Sequence, residues 1–179
     1  TVVKHFPGHG SAPGDTHGQA VISDIGRRDF ERIHLPPFQA AIDAGAEGVM
    51  LSHIVATAYE TADPASQSKP VIERLLRGDL GFQGLAVSDD LSMAAAAAPA
   101  DEGGADGPGT AAAEAGRRAV DALRAGCDLL ISTGTLEQHV AMIEAIVEAV
   151  VSGDLPAERL DQAVLRILRL KSQQRLLSR

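Results

Sequence analysis

Four short β-rich segments recur at intervals of about 40 residues, and they are the strongest constraint on the fold of this chain. They read TVVKHF at 1–6, EGVMLSH at 47–53, GLAVSD at 84–89 and CDLLIST at 127–133. Each is a nearly continuous apolar run, which is typical of parallel strands buried on both faces. Helical patterns lie between them, so the rhythm indicates βα units in a parallel sheet.

Two α/β architectures fit this rhythm, an open doubly wound sheet and part of a (β/α)8 barrel. No GxGxxG follows any of the strands, so a dinucleotide-binding sheet loses its main support. Four βα units in 179 residues match half of a barrel that typically needs about 250 residues. The chain also opens inside a strand without an initiator Met. We therefore expect about half of a TIM (β/α)8 barrel, in a piece of a longer protein.

The helical segments carry start and stop signals. HLPPFQAAIDAG and SKPVIERLLRG each have proline near the start and glycine near the end. Thr135 and Gln138 have the spacing of a capping box, and Gly153 follows the apolar helical face behind them. A last helix is predicted from about Pro156. The segment 94–113 is of low complexity, and we expect a loop or insertion there.

The composition excludes several classes of function. A net charge of −8 without a Lys/Arg block argues against a nucleic-acid partner. Cys127 is the only cysteine, so an internal disulfide and a cysteine-based zinc site are both excluded. No apolar run reaches the length of a membrane-spanning helix, and no signal peptide is visible.

Polar residues follow the ends of all four predicted strands, where a TIM barrel places its active site. In strand order they are Lys4 and His5, Ser52 and His53, Ser88, Asp89 and Asp90, and Ser132 and Thr133. An aspartate after the third strand could serve as a nucleophile, a metal ligand or a substrate clamp. Alternatively, Asp90 caps the following helix and Asp89 accepts backbone hydrogen bonds. His53 is either a substrate contact or a structural histidine.

Asp15 and His17 form a D-x-H triplet in a loop rich in glycine and proline. A carboxylate that holds one imidazole nitrogen raises the basicity of the other, which suits general acid/base catalysis. The alternative is a solvated loop in which Asp15 makes an Asx-turn. A zinc site built from His5, His9, Asp15 and His17 is a further alternative, but the ligand spacing is irregular and no HExxH occurs. We predict neither a metal nor a cofactor.

The motifs also resemble those of a known family. KHFPGHG followed by DTH, and SDDLSM after GFQGLAV, resemble the bacterial β-N-acetylglucosaminidases of glycoside hydrolase family 3. The resemblance continues through LPPFQAAIDAGAEGVMLSHI and the closing RLDQAVLRILRLK. It implies a (β/α)8 barrel of which residues 1–179 are the C-terminal half, with four more βα units expected before Thr1. It also implies small saccharide substrates, namely N-acetylglucosaminides released from peptidoglycan. Related alternatives are another family 3 β-glycosidase, such as a β-glucosidase, and a non-catalytic sugar-binding remnant.

The resemblance also implies roles for single residues. Asp89 corresponds to the nucleophile of a retaining mechanism, His17 to the general acid/base and Asp15 to its dyad partner. Lys4 and His5 correspond to the pair that binds sugar hydroxyls, and we expect His53 to contact the substrate as well.

Further expectations concern the chain as a whole. We expect the loop that carries His17 to close over the bound sugar. The polypeptide of residues 1–179 should be inactive without the other half of the barrel. Family members occur in the cytoplasm and as secreted lipoproteins, so the compartment stays open, with the cytoplasm favoured.

Overall fold

The structure, a computed structural model, describes residues 1–14, 21–93, 96 and 108–177. Its strands are β1 (Val2–Phe6), β2 (Val21–Ser23), β3 (Gly48–Leu51), β4 (Ile54–Ala56), β5 (Leu85–Asp90) and β6 (Leu129–Ile131). Its α-helices are α1 (Arg27–Asp29), α2 (Leu35–Asp43), α3 (Pro108–Ala125), α4 (Leu136–Ser152) and α5 (Ala157–Gln173). Two further segments, Phe30–His34 and Pro70–Asp79, are π-helices.

Four strands form one parallel sheet in the order β1-β3-β5-β6. These are the four strands predicted from the sequence, and each lies beside the next one along the chain. A doubly wound sheet would reverse its strand order at a switch point, whereas successive βα units of a barrel stay in sequence order. The sheet with its helices is thus part of an α/β fold of the TIM-barrel type, as predicted.

Burial differs between the central and outer strands of this sheet. β3 and β5 are largely buried, as their continuous apolar runs predict. β1 alternates between exposed and partly buried residues and β6 is partly exposed, so the prediction that they are buried on both faces was wrong. Each pairs with only one described strand, which leaves Val2 50% and Leu129 41% exposed.

A second parallel sheet was not predicted. It consists of β2 and β4, three residues each, in the register Val21↔Ile54 to Ser23↔Ala56. All three residues of β4 are buried. Because β4 starts directly after His53, this small sheet fixes the chain that leaves the end of β3.

The helix signals were mostly read correctly. Thr135 caps α4, and the reciprocal hydrogen bonds with Gln138 form the predicted capping box. Gly153 ends this helix with a φ of 86°. The helix predicted to end at Gly78 is of π type and continues to Asp79. α3 begins at Pro108, so residues 108–113 of the expected loop are helical; residues 94, 95 and 97–107 lie outside the described part.

One side of α4 is apolar and exposed. We call it the α4 stripe, and its residues repeat at spacings of four, three, four and four. They are Leu136, Val140, Ile143, Val147 and Val151, which are 44–83% exposed. The neighbouring Ile146 and Val150 instead pack into a small core with Leu123 and Leu155. Among the described residues, no helix is long and apolar enough to cross a membrane.

Asp128 lies at the amino-terminal ends of β5 and β6, opposite the strand ends that carry the predicted site. Its side chain is fully buried and accepts hydrogen bonds from three arginines and from the Ala86 backbone N–H. The arginine donors are Arg77 (2.6 Å), Arg159 (2.9 Å) and Arg166 (2.9 Å). The network connects the Pro70–Asp79 helix, β5 and α5 to the start of β6. Contacts at this end of a barrel usually serve stability, because the active site lies at the other end.

Candidate active site

The carboxyl ends of the parallel strands meet at one edge of the main sheet. The register pairs Phe6 with Leu51, Leu51 with Ser88, and Asp90 with Ile131. The polar residues that follow these strands therefore lie side by side, as the sequence predicted. This edge is where barrels of this type carry their chemistry.

Asp90 is held by two neighbouring loops. Its Oδ1 accepts hydrogen bonds from the Ser92 backbone N–H (2.9 Å), the Ser92 hydroxyl (2.7 Å) and the Thr133 backbone N–H (3.0 Å). The Thr133 hydroxyl donates to Oδ2. Burial alone would raise the pKa of Asp90, but the hydrogen bonds from Thr133 and Ser92 outweigh burial and lower the pKa to about 2. Asp90 is therefore an ionised carboxylate with its oxygens already engaged.

Asp89 has a different environment. Its Oδ1 accepts one hydrogen bond, from the Asp90 backbone N–H at 2.9 Å. Its Oδ2 lies 3.5 Å from Nε2 of His5, which projects from the neighbouring region of β1. The side chain of Asp89 is 19% exposed. The structure thus brings together Asp89 and His5, two of the predicted site residues, and leaves the Asp89 carboxylate accessible.

His53 is fully buried behind this pair. Its Nδ1 lies 2.8 Å from the Ser66 hydroxyl, and its Nε2 lies 2.9 Å from the backbone carbonyl of Asp90. Burial is the main reason why the pKa of His53 is lowered. A substrate contact was expected here, but the structure places the ring beneath the strand ends, with both nitrogens bonded to protein groups.

Lys4 is exposed and lines a cavity of about 420 Å³ beside β1. Other residues around this cavity are His5, His9 and His34. The start of the loop packs tightly here, since a Cβ on Gly8 would lie 2.7 Å from Cβ of His34. Gly8 also has a φ of 131°, which favours glycine. The Ser11 hydroxyl adds a 3.0 Å contact to Nε2 of His34.

Asp15 and His17, the predicted acid/base pair, lie outside the described residues. His5 and His9, two residues of the alternative zinc site, have ring centroids 6.2 Å apart in an edge-to-face arrangement. Within the described part of the chain, no three His, Cys, Asp or Glu side chains gather as a metal site.

Arg118 of α3 is a site residue that the sequence analysis missed. This buried arginine donates hydrogen bonds to the backbone carbonyls of Leu91 (3.2 Å) and Met93 (3.4 Å) and to Glu114 (3.0 Å). It therefore fixes the turn that follows Asp90. The RR pair in the helix could have suggested a buried arginine, but nothing local in the sequence indicates its target.

The sequential parallel sheet with carboxylates at its strand ends defines an α/β domain of the TIM-barrel type. The profile of the glycosyl hydrolase family 3 N terminal domain matches residues 1–170, and the chain belongs to that family. This confirms the resemblance read from KHFPGHG, DTH and SDDLSM.

Individual relatives agree with this assignment. A beta-hexosaminidase of Nitrosomonas eutropha is 37% identical over 130 residues, 73% of this chain and 33% of that protein. A beta-hexosaminidase of Nitrosospira multiformis is 33% identical over 172 residues, 95% of this chain and 42% of that protein. The family 3 β-N-acetylglucosaminidase structure from Paenibacillus sp. FPU-7 superposes with a TM-score of 0.84 at 37% identity, covering 96% of this chain and 30% of that one. The chain thus spans about a third to two fifths of the length of these two curated relatives.

Proposed function

We propose that the protein carrying this chain is a retaining glycoside hydrolase that removes terminal β-N-acetylglucosamine from saccharides. The observation that carries this proposal is the contrast between two adjacent carboxylates. Asp90 is ionised and saturated with hydrogen bonds, whereas Asp89 has an accessible oxygen facing His5. A covalent mechanism needs one carboxylate whose oxygen can reach the sugar, and Asp89 meets that requirement.

In the first chemical step, an oxygen of Asp89 attacks the anomeric carbon of the bound sugar. The glycosidic C–O bond breaks, and the leaving oxygen takes a proton from His17. The product is a glycosyl ester on Asp89. Asp15 holds the other nitrogen of His17 and stabilises its protonated form.

In the second step, water attacks the anomeric carbon and His17 accepts its proton. The bond to Asp89 breaks, which releases the sugar with the anomeric configuration it had in the substrate. Lys4 and His5 bind sugar hydroxyls at the rim. The glycine- and proline-rich loop closes over the sugar and brings His17 to the glycosidic oxygen. Structures with and without a sugar analogue test this closure, and an identical closed loop in both would contradict it.

The proposed activity requires more of the barrel than residues 1–179 supply. β1 and β6 each pair with only one described strand, so both are open edges of the described sheet. Exposed strand edges tend to pair with other chains. We therefore propose that the isolated 179-residue polypeptide is inactive.

We also propose that the substrates are N-acetylglucosaminides from peptidoglycan, as the family motifs imply.

Hydrolysis of aryl glycosides by the full-length polypeptide tests the proposed function. An aryl N-acetylglucosaminide should be cleaved with retention of configuration and faster than the matched aryl glucoside. Asp89→Asn should lower kcat by about 10³-fold or more. Preference for the glucoside would indicate a β-glucosidase, and binding without turnover would indicate a sugar-binding remnant. Loss of activity on treatment with a chelator would instead indicate a metal-dependent hydrolase.

A further inference from the structure

Only one arrangement of protons on the His53 ring is consistent with its two hydrogen-bond partners. The carbonyl of Asp90 can only accept, so the proton between them is on Nε2 of His53. The ring is neutral at neutral pH because burial lowers its pKa, so Nδ1 carries no proton. Nδ1 therefore accepts from the hydroxyl of Ser66, which is itself fully buried. The ring orientation is fixed from both sides.

The group that His53 holds is connected directly to the proposed nucleophile. Every polar group of Asp90 has a partner: its carbonyl bonds His53 and the Met93 N–H (3.0 Å), and its carboxylate bonds Ser92 and Thr133. Its N–H donates to Oδ1 of Asp89 at 2.9 Å. The position of the Asp89 carboxylate therefore depends on the orientation of the Asp90 backbone.

We propose that His53 is a positioning residue that orients the Asp89 carboxylate through the backbone of Asp90. This inference rests on the proposed function, because it assumes that the oriented carboxylate attacks the sugar. It assigns His53 a different role from the substrate contact expected from the sequence. His53 is 0% exposed, so it acts on the reaction through Asp90 and without touching the substrate.

The geometry explains why a histidine suits this position. The ring spans the space between Ser66 and Asp90 and presents one N–H at 2.9 Å to the carbonyl. A glutamine can present a side-chain N–H from the same backbone position. A leucine of similar volume has none, so it leaves the buried carbonyl with one partner fewer. Comparing His53→Gln with His53→Leu therefore distinguishes the effect of losing the hydrogen bond from the effect of changed packing.

Steady-state kinetics of these variants in the full-length polypeptide test the proposal. His53→Leu should lower kcat by about 10- to 100-fold, since small displacements of reacting groups have effects of that size, while KM stays nearly unchanged. His53→Gln should restore most of kcat. Val71→Ala, at a fully buried position in the Pro70–Asp79 helix, is the control for lost packing and should keep the kcat of the wild type. If His53→Leu does not fold, His53→Ala takes its place.

Any of three kinetic results would overturn the proposal. The first is a kcat for His53→Leu that falls no further than that of Val71→Ala, and the second is a His53→Gln variant as impaired as His53→Leu. A rise in KM at unchanged kcat would also overturn it, because that pattern is expected of a substrate contact.

Crystal structures of the same variants separate this proposal from the proposed function. In His53→Leu the Asp89 carboxylate should be displaced from its wild-type position, and in His53→Gln it should not. This readout needs no turnover, so it stands even if the wild-type protein cleaves no N-acetylglucosaminide. An unmoved Asp89 in His53→Leu would overturn the positioning role.

Discussion

Thr133 binds the carboxylate of Asp90 twice, with its backbone N–H 3.0 Å from Oδ1 and with its hydroxyl at Oδ2. The loop between β6 and α4 is thereby attached to the end of β5. These contacts engage both carboxylate oxygens of Asp90, whereas the side chain of Asp89 is 19% exposed. The difference supports Asp89 as the proposed nucleophile. The proposed mechanism therefore depends on the unequal environments of two adjacent aspartates.

Asp90 should stabilise the folded chain at neutral pH and contribute to its loss of stability in acid. Its pKa is about 2 in the folded chain, against an ordinary value of 3.8. Its stabilising effect is thus complete above about pH 4 and is lost as the pH falls towards 2. Asp90→Asn should lower the free energy of unfolding at pH 7 by about 1–3 kcal/mol and flatten its decline between pH 4 and 2. Urea unfolding across this range is the measurement, and an unchanged slope would contradict the assignment.

The Asp128 network should be required for stability but not for chemistry. Asp128→Asn removes a buried charge that three arginines share, which should cost about 3–5 kcal/mol. The matched control is Asp161→Asn at an exposed position on α5, which should change stability by less than about 0.5 kcal/mol. Denaturant unfolding of both variants decides the point; equal effects would show that the network is not stabilising.

Cys127 should be unreactive in the folded protein. It is fully buried, and burial raises the pKa of its thiol to about 12. Its Sγ lies 3.3 Å from the Ser66 carbonyl. Iodoacetamide at pH 8 should label the Cys127 peptide only after unfolding in guanidinium, as read by mass spectrometry. Rapid labelling under native conditions would show that this part of the core opens.

The isolated 179-residue polypeptide should self-associate through exposed apolar surface. The α4 stripe contributes side chains such as Ile143 (63% exposed) and Val147 (57% exposed). The double change Ile143→Lys and Val147→Lys should reduce association without altering the helix content. Sedimentation velocity over a concentration series measures this. A wild-type polypeptide that stays monomeric throughout would contradict the prediction.

Much of the fold could be predicted because its signals are local. The four apolar strands, the capping box of Thr135 and Gln138, and the stop at Gly153 each depend on a few neighbouring residues. β2 and β4 were missed because three-residue strands carry little periodicity. The burial of β1 and β6 was misjudged because the sequence does not tell which strands lie at the edges of the described sheet.

The grouping of polar residues at the strand ends could be predicted from the sequence, but their contacts could not. The adjacent aspartates and His5 could be found from strand ends and family motifs. The hydrogen bonds of His53 and Arg118 could not be predicted, since their partners Asp90 and Leu91 lie 37 and 27 residues away in the chain. Such long-range hydrogen bonds depend on tertiary packing and leave no local pattern.

The most direct test of the central claim is to identify the residue that becomes glycosylated. The full-length polypeptide is treated with a 5-fluoro N-acetylglucosaminyl fluoride, whose fluorine slows the second step and lets the covalent intermediate accumulate. Peptide mass spectrometry then locates the sugar. We predict that it is attached to Asp89 and absent from the Asp89→Asn variant. A sugar attached to Asp90, or turnover of this compound without any covalent adduct, would contradict the account.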